Sequence, residues 1–277
     1  MSHLVVRRQL VDQRPPIARR WNGGDAFRSA FFNALSMSFP AGEQIFIDAV
    51  RMGLAALPDT LPQDERQRLA VEVQAFIGQE ATHRRIHELF NGHLARQGLV
   101  NRWEARILRR RRRLEGIDPR HWLAVTAATE HFTAILAEYL LAHPEALAGA
   151  EPRLRDLWLW HSSEESEHRS TAFDLYRALG GNDTWRLRIF RIVSWHFALD
   201  ALRQTAANLW RDGSWWQPTT WRSGWRLLFG RQGLVRLGFG PWRRYLRSDF
   251  HPSQGDGTAA ARWLAENAAL VPPVRAA

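Results

Sequence analysis

Residues 157–176 read LWLWHSSEESEHRSTAFDLY. Glu165 and His168 stand three residues apart in this stretch, and apolar residues recur on both sides of them with the period of a helix. Three residues are close to one helical turn, so the two side chains would project from the same face. A single Glu-x-x-His pair is weak evidence for a metal site, because such pairs also occur by chance on exposed faces. The stretch therefore predicts a helix that presents one carboxylate and one imidazole to the same neighbour.

A second Glu-x-x-His pair occurs earlier in the chain. Glu80 and His83 lie in residues 76–91, which read FIGQEATHRRIHELFN. Two other apolar stretches each contain one carboxylate, Glu43 and Glu130, and burying either without a partner would cost several kcal/mol. For either glutamate alone, a solvated or salt-bridged position is an equally good interpretation. The full order Glu, Glu-x-x-His, Glu, Glu-x-x-His is the ligand plan of ferritin-like bundles that bind two metal ions.

The spacing of the four glutamates agrees with this plan. Glu43 and Glu80 are 37 residues apart, and Glu130 and Glu165 are 35 apart, which suits two antiparallel helical hairpins. Glu80 and Glu130 are 50 residues apart, and this longer separation leaves room for the crossover connection of such bundles. We therefore predict an all-α fold, a ferritin-like four-helix bundle with a dinuclear metal site. The ligands predicted from this pattern are Glu43, Glu80, His83, Glu130, Glu165 and His168.

Helical periodicity extends over almost the whole chain, and strand-like alternation is scarce. We predict helices at residues 27–57 with a break at Pro40, 64–97, Arg102–Leu114, 118–143, 151–179 and 183–211, followed by shorter helical pieces. These helices divide the chain into three parts. The parts are a basic N-terminal arm at 1–22, the metal-binding bundle at 23–182, and a Trp/Arg-rich helical extension at 183–277 that packs on the bundle.

The composition restricts the chemistry. The 277 residues include no cysteine and no lysine, so all 38 basic side chains are arginines. Cysteine-ligated zinc, iron–sulfur clusters, thiol nucleophiles and Schiff-base lysines are excluded, and any metal must be bound by histidine and carboxylate. No segment reads as a signal peptide or a membrane-spanning helix. The expected location is therefore the cytoplasm, with peripheral contact at the inner membrane face left open.

Three residues beside the two motifs are candidates for orienting the ligands. Gln79 and Glu164 each immediately precede the glutamate of a pair, a position that commonly orients the histidine of the opposite helix. We hypothesise that Glu164 binds His83 and that Gln79 binds His168, the alternative being exposed polar residues. His87 lies one turn beyond His83, where a hydrogen-bonded core histidine is a better interpretation than a ligand.

His161 stands four residues before Glu165, which places a second histidine on the same helix face. This His-x-x-x-Glu-x-x-His pattern resembles di-iron arylamine N-oxygenases, and the resemblance implies that His161 is a seventh ligand. The chain resembles still more closely the bacterial family of predicted metal-dependent hydrolases. The resemblance runs from about residue 26 to 263. Its motifs are FPAGEQIF (39–46), FIGQEATHRRIHELFN (76–91), ATEHFTAILAEYLL (128–141), LWLWHSSEESEHRSTAFDLY (157–176) and YLRSDFHP (245–252).

The favoured function at this point is an O₂-activating di-iron oxidase or oxygenase that acts on a small organic substrate. Its cofactor would be two iron ions, with manganese or a mixed Mn/Fe pair also compatible. The first alternative is a metal-dependent hydrolase that uses a metal-bridged water, since the same ligand set serves both reactions. Helical carboxylate sites favour redox chemistry, because hydrolytic two-metal sites occur more often at loop ends of α/β folds. The second alternative is a non-enzymatic iron-binding or iron-sensing bundle.

The C-terminal third has an unusual composition. Nine of the 14 tryptophans lie between Trp185 and Trp263, and arginines are interleaved with them. These helices would pack across the bundle with solvated arginines, or they would contact a membrane surface. Nucleic-acid binding is disfavoured, because the sequence contains no recognition motif for it despite a pI near 11.3. A homodimer is also compatible with the sequence.

Overall fold

The computed structural model describes residues 4–10, 12 and 14–274. In this part of the chain there are ten α-helices, two short 3₁₀ turns at Pro144–Leu147 and Pro252–Gln254, and no strand beyond two isolated bridges. The all-α prediction is confirmed. Among the described residues, no helix combines the length and the hydropathy of a membrane-spanning segment. The helices are α1 (Ala26–Ala55), α2 (Gln63–Arg96), α3 (Arg102–Leu114), α4 (Pro119–Ala142), α5 (Pro152–His168), α6 (Thr171–Ala178), α7 (Asp183–Asp212), α8 (Pro218–Phe229), α9 (Leu234–Arg244) and α10 (Thr258–Glu266).

Short polar side chains determine where several of these helices begin. Asp25, Asn101, Asp118 and Asn182 each accept a hydrogen bond from a backbone N–H in the first turn of the helix that follows. Such caps satisfy donors that have no partner within the helix, and each contributes about 1 kcal/mol. The predicted limits of α1, α2, α3, α4 and α7 therefore agree with the observed ones to within two residues.

The break predicted at Pro40 is wrong, because α1 continues through this residue. Proline has no N–H to donate to the carbonyl four residues earlier, which belongs to Ser36. The side chain of Asn91, on α2, supplies the missing donor: its Nδ2 lies 2.9 Å from the Ser36 carbonyl oxygen. Asn101 donates in the same way to the next carbonyl, that of Met37, at 2.7 Å. Two asparagines from outside the helix thus compensate for the proline within it.

The single helix predicted at 151–179 is also corrected, since it is divided into α5 and α6. The interruption falls at Arg169 and Ser170, directly after His168, the last predicted ligand. Arg169 donates to the Glu138 carboxylate at 3.0 Å and to the carbonyl oxygen of Gly255. The end of α5 is therefore tied both to α4 and to the segment that precedes α10.

The four helices that carry the predicted ligands pack side by side. α1 contacts α2 and α4, and α5 contacts α4 and α2. α3 lies between α2 and α4 in the chain and packs on α1 and α7. α7 in turn covers α1 and α4, so the C-terminal helices form an outer layer over the ligand-bearing ones. The closer assignment of these four helices to the ferritin-like class stays a prediction.

The hydrophobic interior is divided into two clusters by a polar layer. One cluster contains Phe32, Phe90 and Trp158, and the other contains Phe76 and Phe190. The change from one cluster to the other occurs between Phe39 and Ile45 in α1, Phe76 and Ile86 in α2, Ala128 and Tyr139 in α4, and Trp160 and Ala172 in α5 and α6. Every predicted ligand lies within one of these four intervals.

The bond between Asn91 and the Ser36 carbonyl leads to a first prediction. Asn91→Leu should lower the free energy of unfolding by about 1–3 kcal/mol, because a half-buried carbonyl loses its donor. The loss should be smaller by about 1 kcal/mol in a Pro40→Ala background, where residue 40 regains an N–H for the same carbonyl. Urea unfolding of the four members of this double-mutant cycle measures both values. Equal losses in the two backgrounds would contradict the compensation.

Candidate metal centre

The polar layer brings all seven predicted ligands into one buried group. Each of them is at most 4% exposed, and their oxygen and nitrogen atoms form several sets of three that lie within 4.8 Å of one another. α1 and α4 each supply one carboxylate, α2 supplies two residues and α5 supplies three. The residues, in that order of helices, are Glu43, Glu130, Glu80 with His83, and His161 with Glu165 and His168.

Glu80 and Glu165 lie at the middle of this group. His168 Nε2 is 3.0 Å from Glu80 Oε1 and 3.6 Å from Glu165 Oε1, and it is 3.5 Å from Glu130 Oε2. On the other side, His83 Nδ1 is 3.5 Å from the same Glu165 Oε1. Glu80 is likewise grouped both with His83 and with His168. The donors thus form two halves, one around each histidine, which share two carboxylates.

Many of these donor atoms have no hydrogen-bond partner, although all are buried. Nine such atoms belong to six residues of the group. Leaving a buried charged atom unpaired is costly, so native proteins rarely do so without a metal or another ligand. The residues present therefore fit a metal centre of oxygen and nitrogen donors. The nine atoms are both carboxylate oxygens of Glu43, Glu80 and Glu130, Oε2 of Glu165, Nδ1 of His83 and Nε2 of His168.

The carboxylates differ in their affinity for protons. Burial raises the pKa of Glu43 well above its usual range, and the neighbouring carboxylates raise it further. Burial and the charge of Glu165 raise the pKa of Glu130 in the same way. Burial would also raise the pKa of Glu165, but the charge of His168 and the close imidazoles of His161, His168 and His83 outweigh it and lower that pKa. Without a cation, the four carboxylates therefore do not all ionise together.

The histidines respond in the opposite sense to these carboxylates. Burial lowers the pKa of His83, but its hydrogen bond to Glu164 and the nearby carboxylate of Glu165 outweigh this and raise the pKa to about 9. Burial would lower the pKa of His168 as well, and the charges of Glu165 and Glu130 raise it well above its usual value. A metal ion that binds these imidazoles must displace protons from them.

Both contacts hypothesised for the neighbouring polar residues are present. Glu164 Oε2 lies 2.9 Å from His83 Nε2, and Gln79 Oε1 lies 2.9 Å from His168 Nδ1. When His83 donates from Nε2, its Nδ1 lone pair faces the carboxylates, and when His168 donates from Nδ1, its Nε2 lone pair does so. The geometry therefore orients one nitrogen of each ring towards the centre.

Arg7, in the N-terminal arm, was not identified from the sequence. Its guanidinium donates to Glu164 Oε1 at 3.3 Å and to Glu167 Oε2 at 2.7 Å, and Glu167 also accepts from Gln79 at 2.9 Å. One arginine thus supports the residues that orient both histidines. The available signal was the crowding of three acidic residues at positions 164, 165 and 167, which calls for a nearby cation.

His87 is part of a hydrogen-bonded chain that leads away from the centre. Asn91 Oδ1 accepts from the Ser36 hydroxyl at 2.8 Å, so that hydroxyl oxygen is free to accept from His87 Nδ1, also at 2.8 Å. His87 Nε2 lies 2.7 Å from His161 Nδ1. His161 Nε2 forms a hydrogen bond with Glu165 Oε1 at 2.8 Å, whose proton a bound metal ion would displace. His87 thus joins Ser36 to His161 by hydrogen bonds, and one of its nitrogens also lies within 4.8 Å of donor atoms of Glu43 and His161.

Comparison with known families agrees with this donor set. A sequence model of the family described as predicted metal-dependent hydrolases matches residues 5–256. The chain belongs to this family. No curated protein and no solved structure matches the chain. The family's description and the buried His/Glu group together support metal dependence.

Membership of this family corrects the functional prediction. The favoured interpretation, an O₂-activating di-iron oxidase or oxygenase, is wrong, and the family's description agrees with the hydrolase alternative. The error has a physical cause. Carboxylates and imidazoles on four helices serve redox and hydrolytic reactions equally, so their spacing does not distinguish the two. The likeness to arylamine N-oxygenases, based on His161, finds no support in the comparisons.

The position of Arg7 leads to a second prediction. Arg7→Gln should weaken metal binding about 10–100-fold, because Glu164 and Glu167 lose the cation that holds them against the histidine partners. Competition with a chromophoric chelator measures the affinity. Arg14→Gln is the matched control, since this exposed arm arginine forms its ion pair with Asp12, away from the centre. Equal metal affinities for the two variants would show that Arg7 has no such role.

The raised histidine pKa values lead to a third prediction, on pH. His83, with a pKa of about 9, is protonated at neutral pH and must lose its proton to bind metal. The apparent metal affinity should therefore rise with pH up to about 9, by about tenfold per pH unit for each proton displaced. Chelator competition at several pH values measures the slope. Glu164→Gln should make the metal affinity less dependent on pH, because the substitution removes a carboxylate that raises the pKa of His83. A metal affinity of the unmodified protein that does not change with pH would refute the expectation.

Proposed function

We propose that the chain is a metal-dependent hydrolase whose reaction centre is the polar layer between α1, α2, α4 and α5. The observation that carries the proposal is the set of nine buried donor atoms that make no well-oriented hydrogen bond, in a member of a family described as metal-dependent hydrolases. Because the donors form two halves around two histidines, we propose a centre for two metal ions rather than one.

The shared carboxylates suggest how the ligands are divided. Glu80 and Glu165 would contribute to both ions, since each is close to donors of both halves. The five remaining ligands would each bind one of the two ions. One ion would be held by Glu43, His83 and His161, and the other by Glu130 and His168.

Charge supports the number of ions, and donor type narrows their identity. Four ionised glutamates carry a charge of −4, which two divalent cations neutralise. Mixed carboxylate and imidazole donors without sulfur suit iron and manganese, while the absence of cysteine excludes thiolate sites. We propose iron(II) as the native ion, with manganese(II) as the substitute that the same donors accept.

Divalent ions in such a site supply Lewis acidity, which polarises a carbonyl or phosphoryl group and acidifies water. The residues of the chain provide orientation and exclude bulk solvent. Glu164 and Gln79 hold the two imidazoles, and Arg7 holds Glu164 in place. With a metal ion bound, the hydrogen bonds from Asn91 through Ser36 and His87 would keep the proton of His161 on Nδ1 and leave its Nε2 for the ion.

Aromatic rings surround the histidines and restrict the substrate class. Phe76 lies edge-on to His168 with ring centroids 4.8 Å apart, and Phe39 lies edge-on to His161 at the same distance. Trp160 contacts His83 in a similar way at 4.9 Å. These walls are apolar, so we propose a small organic substrate in which the hydrolysable bond adjoins an apolar group.

The fourth prediction tests the centre through Glu80, the carboxylate proposed to contribute to both ions. Apo-protein loaded separately with Fe(II), Mn(II) and Zn(II) should bind two ions per chain and hydrolyse members of a panel of small esters, amides and phosphate esters. Glu80→Gln should lower the stoichiometry below two and reduce hydrolysis at least about 100-fold, because it removes an anionic ligand. Elemental analysis and turnover assays measure the two effects.

Glu88→Gln is the control for this experiment, since Glu88 is exposed on the same helix and pairs with Arg84 at the surface. It should leave stoichiometry and turnover unchanged. A maximum of one ion per chain in the unmodified protein would refute the dinuclear centre. Failure of all three metal forms to hydrolyse any substrate of the panel would refute the proposed activity.

A further inference from the structure

The C-terminal helices present an aromatic surface that the rest of the chain does not cover. Trp216 is 77% exposed and Trp225 is 66% exposed, values that are unusual for the largest apolar side chain. Ring contacts join Trp210 to Trp216 and Trp225 to Phe229, so several of the exposed rings occur in contacting pairs. We refer to the following residues as the aromatic face: Trp210, Trp216, Trp221, Trp225, Phe229 and Phe239.

The packing of α8 and α9 directs these rings outward. α8 buries Thr220, Gly224 and Leu227, which share one side of the helix, and a side chain at position 224 would collide with the ring of Phe27 on α1. Its tryptophans therefore project from the remaining surface. α9 buries none of its residues and approaches α4 through Gly238. Both helices thus lie on the bundle with an apolar side left free.

The charge of the molecule is concentrated in the same region. Twelve arginines and two aspartates lie between residues 184 and 247, a formal net charge of +10 that equals that of the whole chain. Both aspartates are already paired with arginines from elsewhere, Asp200 with those of α3 and Asp212 with those of the arm. Residues 213–248 contain seven arginines and no acidic residue.

Four of these arginines adjoin the aromatic face. They are exposed, and within the described part of the chain no ion pair or hydrogen bond involves their guanidinium groups. The four are Arg222 and Arg226 on α8, Arg231 in the following turn, and Arg236 on α9. A partner of this surface must therefore offer negative charge beside apolar groups.

An apolar cavity opens beside the same surface. It lies between α1, α7 and α8, has a volume of about 240 Å³, and is lined by Phe27, Phe31 and Leu209 in its deeper part. Leu202 and Trp221 belong both to its wall and to the exposed surface. The surface thus offers a recess for a hydrocarbon segment next to its cationic side chains.

We propose that the aromatic face docks the protein on an anionic phospholipid bilayer. Indole rings are suited to headgroup depth, and the neighbouring arginines bind lipid phosphate groups. A symmetric second copy fits less well, since an isologous interface would place the unpaired arginines of both copies against one another. The bilayer alone supplies the apolar depth and the negative charge that the surface requires. The protein lies on the membrane and does not cross it.

Cosedimentation of the full-length protein with sucrose-loaded vesicles tests the proposal. The protein should bind vesicles of phosphatidylcholine with 30 mol% phosphatidylglycerol and should not bind phosphatidylcholine alone. Arg222→Gln combined with Arg226→Gln should weaken binding about 25-fold, at about fivefold per arginine. Trp216→Ser combined with Trp225→Ser should weaken it about tenfold for each indole removed from the interface. All four side chains are exposed, so these variants keep the fold.

Two matched controls remove equivalent groups from elsewhere. Arg51→Gln with Arg85→Gln removes two exposed arginines, and Val71→Ser with Leu89→Ser removes two exposed apolar side chains from α2. Both should bind vesicles like the unmodified protein. The proposal is overturned if the controls lose binding equally, or if both vesicle types bind alike. It is also overturned if the unmodified protein does not bind the anionic vesicles, or if the aromatic-face variants bind them as well as the unmodified protein does. In the second case, dissociation of a dimer in light scattering would assign the surface to a second copy of the chain, and loss of binding to a DNA duplex would assign it to nucleic acid.

Discussion

Four buried glutamates in one layer are the constraint on which the rest of the structure depends. Their negative charges lie between two hydrophobic clusters, where burial raises the pKa of most of them and no hydrogen bonds compensate the free oxygens. Such a layer is stable only when cations or protons neutralise it. The two histidines facing the glutamates, and the metal ions that we propose, meet this requirement and explain why one helical interior contains two separate apolar clusters.

The supporting contacts around this layer connect distant parts of the chain. Pro40 deprives the Ser36 carbonyl of its helical donor, and Asn91 replaces that donor. The same amide accepts from the Ser36 hydroxyl, where the hydrogen-bonded chain through His87 to His161 begins. On the opposite side, the arm reaches the residues that orient the histidines through the guanidinium of Arg7 and the carbonyl oxygen of Val5. The orientation of the imidazoles thus depends on a proline in α1 and on an arm outside the bundle. For this reason, metal affinity should respond to residues that are not ligands.

Much of the fold was predictable because its signals are local. Helical periodicity locates α1, α2, α3, α4 and α7 to within two residues, and a spacing of three places Glu165 and His168 on one face. The break at Pro40 was predicted wrongly because proline's effect depends on donors from another helix. The chemistry was predicted wrongly because the donor types are shared by oxygenases and hydrolases, so identical residues are compatible with both.

The sequence by itself determined the all-α class, the absence of cysteine ligands and six candidate ligands, with His161 added only by a family resemblance. The class, the missing cysteine and the six candidates follow from composition and from helical spacing, and none of them requires knowledge of distant contacts. Only the tertiary structure decided that Arg7 meets Glu164 across 157 residues, that α5 ends at His168, and that the tryptophans of α8 face outward. These features depend on which surfaces meet after folding, and side-chain periodicity along a single helix contains no information about that.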